Sequence, residues 1–192
     1  MWVSIDTGAQ WTRLKANLPT VPVHDLTIHP RENDLVLGTY GRGMFIGDIT
    51  HLQELSADVL AKPLHLFAVE PRAAYGFRAQ GNYHLYGHKY LEVPNEPDAL
   101  AINYLRDKHD GGAQVTISDI SGERIAQVKG ASEAGLNRAF RNMRAGAGAP
   151  AGGGRGRGGF GGPPLPAGDY RITVAAGGQQ QTTIGRIRDR IW

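Results

Sequence analysis

The 192-residue chain contains no cysteine, which excludes a disulfide framework, a thiolate nucleophile and any cysteine-based zinc site. It has no apolar run close to the roughly 20 residues a helix needs to cross a bilayer. An excess of one charge is missing too. Lys and Arg number 21 against 18 Asp and Glu, a formal net charge of +3, and so mild a balance selects neither an acidic nor a nucleic-acid partner. The opening residues Met1-Trp2-Val3-Ser4 lack a basic n-region and an apolar h-region, so they read as the entry to a strand and not as a signal peptide. No P-loop, dinucleotide fingerprint or nucleophile elbow is present, and Gly41-Arg42-Gly43 has no helix pattern after it. The length suits one sizeable domain or two small ones.

What is there begins at Ser4-Ile5-Asp6-Thr7-Gly8-Ala9-Gln10-Trp11, an S-x-D-x-G-x-x-W string. Ser4 and Asp6 carry short side-chain oxygens able to accept hydrogen bonds from the N–H groups of a turn. Gly8 can take the positive φ of a tight hairpin, and Trp11 starts the return strand with a ring expected to be buried. At all four fixed positions the string resembles the Asp-box, the repeated hairpin turn of BNR-type β-propellers such as sialidases and sortilin-type domains. The resemblance implies architecture and not chemistry, because the box is structural in those families.

Residues 1–50 read as β structure throughout. Val23, Leu26 and Ile28 make a strand closed by Pro30, Leu35 to Tyr40 a second, and Met44 to Ile49 a third, joined by tight turns. The run from Asn17-Leu18-Pro19 to Gly41-Arg42-Gly43 resembles the last blade of BNR-repeat proteins. A propeller needs about four to eight blades, each burying its faces against neighbours. One blade and the end of another expose open faces and edges. The chain therefore reads as the C-terminal part of a longer secreted or periplasmic protein, with upstream blades as its first partner.

In residues 51–97 the character changes. Leu52, Leu55, Val59 and Leu60 fall at helix spacing up to Pro63, which predicts a short helical linker. Leu64 to Val69 is an apolar strand, and residues 71–97 are irregular and tyrosine-rich, suited to a half-buried seam or a ligand surface. Residues 98–192 carry at least five short strands separated by polar turns, which predicts an antiparallel immunoglobulin-like sandwich. The pattern I-x-D-x-x-G-x-x-I from Ile117, then Gly135-Leu136-Asn137-Arg138 and Pro166-Ala167-Gly168-Asp169-Tyr170, resembles FlgD-like or fibronectin-like domains that follow BNR propellers. Where those carry Trp-Asp, this chain has Arg141-Asn142, which weakens that anchor. The fold expected is all-β: a partial propeller, a short helical linker and a sandwich, with residues 145–168 a disordered Gly/Arg-rich loop.

Chemistry is sparse. The propeller resemblance implies a glycoside hydrolase as one reading of the parent, with Tyr40, Arg42, Asp25 and Asp48 as the residues to weigh and Tyr40, Arg42 and Asp48 as ligand contacts; an arginine fork suits a sugar carboxylate. A single blade cannot assemble an arginine cluster, so no residue is assigned a catalytic role. Arg155-Gly156-Arg157-Gly158-Gly159-Phe160 looks like an RGG element, and no acid occurs from Ala134 to Gly168; this is an RNA-binding reading, set against a tolerated surface insertion. His84 and His88 are four apart beside Gly87, outside a helix, so no metal or cofactor is expected. His24 and Asp25 are expected to point to opposite faces of a strand. The function expected is structural, or carbohydrate- or protein-binding.

Overall fold

Alternation of apolar and polar residues at period two sets most of the elements, and the chain is all-β. The computed structural model describes residues 1–13, 18–73, 97, 99–108, 111–144 and 163–189, in two compact units, Met1–Lys62 and Pro63–Trp192.

In the first unit β1 (Trp2–Val3) and β2 (Thr12–Arg13) form a two-stranded hairpin. A separate antiparallel sheet holds β3 (Val23–Ile28), β4 (Asp34–Thr39) and β5 (Met44–Asp48) in chain order. Its register puts Leu26, Leu37 and Phe45 side by side, and next to them Ile28 and Leu35. Thr27, Val36 and Ile46 share the opposite face with Met44. Leu35 and Leu37 are buried, yet Leu26 is 52% exposed on the same face, and Met44 and Ile46 are 75% and 67% exposed on the other.

The expected linker helix is two single turns, α1 (Thr50–Gln53) and α2 (Ala57–Leu60). Ser56 divides them: its Oγ accepts the Val59 N–H at 3.2 Å, an N-cap that restarts the helix.

The second unit is a sandwich of two sheets. One has the order β10 (Arg124–Lys129), β9 (Gln114–Ser118), β12 (Gly168–Ala176), β13 (Gln179–Arg188) and β7 (Arg72–Ala73). The other runs β11 (Gly135–Asn142), β8 (Ala99–Arg106), β6 (Leu64–Leu66). Leu100, Ile102 and Tyr104 of the smaller sheet pack with Val115, Ile117, Ile172 and Val174 of the larger in one core. Tyr170 is buried there too, and its hydroxyl donates to the Pro166 carbonyl at 2.6 Å, four residues upstream.

Three expectations change here. Leu64–Leu66, assigned to the connecting segment, pairs with β8 and belongs to the sandwich. The sheets are not wholly antiparallel, because β7 runs parallel to β13 at Ile187↔Arg72 and Arg188↔Ala73. Residues 163–168, expected to lie in a disordered Gly-rich loop, are ordered. Pro164 bridges to Arg144, the Leu165 N–H donates to Met143 O at 2.9 Å, and Leu165 and Met143 are buried. The prolines at 163, 164 and 166 restrict φ around that apolar anchor. Residues 145–162 and most of the tyrosine-rich segment lie outside the described residues.

Candidate functional site

The S-x-D-x-G string forms a closed hydrogen-bond circuit. The Gly8 N–H donates to Ser4 Oγ at 2.8 Å, Ser4 Oγ–H donates to Asp6 Oδ1 at 2.8 Å, and the Gln10 N–H donates to the same Oδ1 at 2.9 Å. A hydroxyl that accepts from one amide while donating to a carboxylate polarises both bonds. The chain reverses through two successive positive φ angles, 57° at Thr7 and 95° at Gly8. Sequence reasoning placed that burden on Gly8 alone, and a β-branched residue in this region is strained by about 1–3 kcal/mol. The Thr7 hydroxyl donates to Asp6 O at 2.7 Å.

Trp11 does not start a buried return strand. Pairing begins at Thr12, and the indole is 61% exposed, because two-residue strands offer no layer for it to pack on.

The turn at residues 119–123 is built in the same way, and sequence reasoning missed the likeness. The Ser121 hydroxyl donates to Asp119 Oδ1 at 2.6 Å and the Glu123 N–H donates to it at 2.8 Å, with Gly122 at φ 99°. In both turns a carboxylate oxygen takes the amide four residues on and a serine hydroxyl two positions away. The signal was legible as Asp, Ser and Gly within four residues.

Both carboxyls are held below the ordinary 3.8, Asp6 chiefly by the Gln10 amide and then the Ser4 hydroxyl, Asp119 chiefly by the Ser121 hydroxyl. A depressed folded pKa means each turn has its full carboxylate stabilisation above the unfolded value and loses it as pH falls through the folded one. The Gln10 and Glu123 amide shifts, followed by NMR, are expected to move with midpoints below 3.8. Asp6→Asn should abolish the Gln10 transition and leave that of Glu123 intact; midpoints at or above the ordinary value would contradict the circuit.

The residues weighed as ligand contacts do not converge. Tyr40 and Arg42 lie exposed in the β4–β5 turn, which is closed by the Thr39 N–H and hydroxyl on Gly43 O at 3.1 and 2.6 Å. The Tyr40 ring stacks on His24 at 5.3 Å between centroids. Asp48 stands at the far end of β5, four residues from Met44 or roughly 13 Å along the strand. There it accepts the Thr50 N–H at 2.9 Å and lies 4.0 Å from His51 Nδ1. The strand bulges between Val23 and Asp25, and Asp25 accepts the N–H of the following Leu26 at 2.9 Å. His84 and His88 lie outside the described residues. Among the described residues no three His, Asp or Glu side chains gather where a metal could sit, and no helix is long and apolar enough to cross a membrane.

No protein-family model and no curated protein matches the chain. One solved structure it resembles is of PorZ, described as an essential bacterial surface component of the type-IX secretion system of Porphyromonas gingivalis. The likeness covers 85% of this chain at 17% identity with a TM-score of 0.35, and this chain spans 16% of that one.

Proposed function

We propose that residues 1–50 are the end of an Asp-box (BNR-repeat) β-propeller and that the sandwich is an immunoglobulin-like domain following it. The chain's work is then non-catalytic: it closes a propeller against upstream blades of an exported protein and presents the sandwich for docking to carbohydrate or protein. The observation that supports this is the two-faced apolar exposure of the β3–β4–β5 sheet, with Leu26 and Ile28 open on one side and Met44 and Ile46 on the other. A free-standing antiparallel sheet keeps one face polar. A blade stacked between neighbours needs apolar residues on both. The exposed Trp2 and Trp11 beside the Asp-box add to the same account.

The experiment takes the 192-residue chain alone. It is expected to self-associate in sedimentation and to enhance the fluorescence of a hydrophobic dye several-fold, as large exposed apolar patches do. Leu26→Lys with Ile46→Lys should remove most of the dye signal, and in-frame upstream segments carrying further S-x-D-x-G-x-x-W boxes should remove it as well. A dye-silent monomer would overturn the blade reading. Turnover of an aryl sialoside by this chain would overturn the non-catalytic role.

A further inference from the structure

The outer face of the five-stranded sheet, opposite the core, carries a biased set of side chains. Register and period-two alternation put Arg124, Lys129, Arg171, Arg186 and Arg188 on it, all exposed. Asp169 is the one carboxylate among the strand positions of this face, and it already holds Arg186 in a two-point pair at 2.5 and 2.8 Å. Five cations and one acid leave a surplus of four on a face of a chain whose overall charge is only +3. Between the cations runs a level row, Gln127, Thr116, Thr173 and Thr182, aligned across four strands. The Thr173 and Thr182 hydroxyls meet at 2.9 Å. Adjacent strands space these groups about 4.8 Å apart.

We infer that this face binds an acidic polysaccharide whose repeating carboxylates meet the arginines while its hydroxyls meet the threonine and glutamine row. Guanidinium forks match carboxylates in two-point geometry and are weakly hydrated, so they give up water readily at an interface. Hydroxyl and amide groups supply the neutral donors and acceptors that sugar rings require. A single-stranded nucleic acid is disfavoured, because base stacking needs aromatic platforms and the described strand positions of this face carry none. The inference rests on the docking role proposed for the sandwich, whose ligand class it names, and it is independent of the propeller blade, which the dye and sedimentation experiment tests separately.

The test uses the full chain with polygalacturonate as the probe, dextran as the neutral polymer and poly(U) RNA as the alternative polyanion. Polygalacturonate is expected to bind, to weaken as salt rises, and to outcompete poly(U); dextran is expected not to bind. Arg171→Gln with Arg188→Gln should weaken binding roughly 10-fold, and Arg124→Gln with Lys129→Gln on the edge strand β10 should also weaken it. Arg31→Gln, on the first unit, should change nothing. Thermal melts of the variants check that the sandwich is intact. Unchanged affinity in both double variants overturns the inference, as does equal binding of dextran. Tighter binding of poly(U) that is lost in the same variants would reassign the face to nucleic acid.

Discussion

Gly185→Ala is expected to destabilise the sandwich by about 1–3 kcal/mol, although it adds a single methyl group to a strand. Gly185 faces the core from β13, opposite Tyr170 on β12. Its φ lies outside the left-handed region, so alanine meets no backbone penalty and the effect is one of space. A Cβ there stands 2.4 Å from Ile172 Cδ1 and 3.4 Å from Val69 Cγ1, and Ile172 is fully buried. Close-packed interiors leave little room into which the δ-methyl can swing. Ile172→Val removes that methyl, and alone it should cost about 0.5–1.5 kcal/mol. Together the two substitutions exchange one methyl for another, so the double variant should be more stable than the sum of the singles by about 1 kcal/mol or more. Urea unfolding of the three variants gives the comparison. Simple additivity would show that Ile172 does not hold the space above Gly185.

Gln181→Ala is expected to cost about 2–3 kcal/mol, a large effect for a half-buried side chain. Its amide bonds the backbone of β6 as a neighbouring strand would. The Leu66 N–H donates to Gln181 Oε1 at 2.8 Å, and Gln181 Nε2 donates to Leu64 O at 2.7 Å. β6 is the outer strand of the smaller sheet, while Gln181 stands on β13 of the larger. One side chain thus covers a sheet edge and ties the two layers together. Removing it leaves a donor and an acceptor on β6 with poorer partners and opens an edge of the kind that pairs with other chains. Hydrogen exchange at the Leu66 amide should accelerate roughly 10-fold or more, ahead of amides in β9 and β12. Unchanged protection at Leu66 would mean that the bridge is not formed in solution.

Much of the β architecture was open to sequence reasoning because the chemistry that sets it is local. Alternation placed the strands around Leu26, Leu37, Ile102, Ile117 and Ile172 within a few residues of where they lie. The turns at Asp6 and Asp119 are written in serine, aspartate and glycine, whose short side chains act within four residues. What was missed depends on distant partners. Nothing near Arg72 announces a two-residue strand, since its partner Ile187 is more than a hundred residues away. Leu64–Leu66 looked like part of a linker because its register with β8 is a tertiary fact. Gln181 gives no local sign that its amide will serve a strand in the other sheet. Of the ligand-contact set, Tyr40 and Arg42 share a turn because they are neighbours in sequence, whereas Asp48 is carried away by the straightness of a strand. The biased outer face of the sandwich has no linear motif at all. It arises when three strands, β10, β12 and β13, contribute one or two cations each, and the register that aligns them is invisible in any single window.

The crossover from β11 to β12 is pinned where it leaves and where it returns. Arg144 bridges Pro164, Leu165 bonds Met143, and both apolar side chains sink into the core. The residues between those contacts join β11 to β12 in sequence. Doubling the length of such a segment costs only about 0.6 kcal/mol of closure entropy. The sandwich therefore has a built-in port at which related chains can lengthen, shorten or replace what lies between Arg144 and Pro164, and at which an engineered label or binding peptide can be carried.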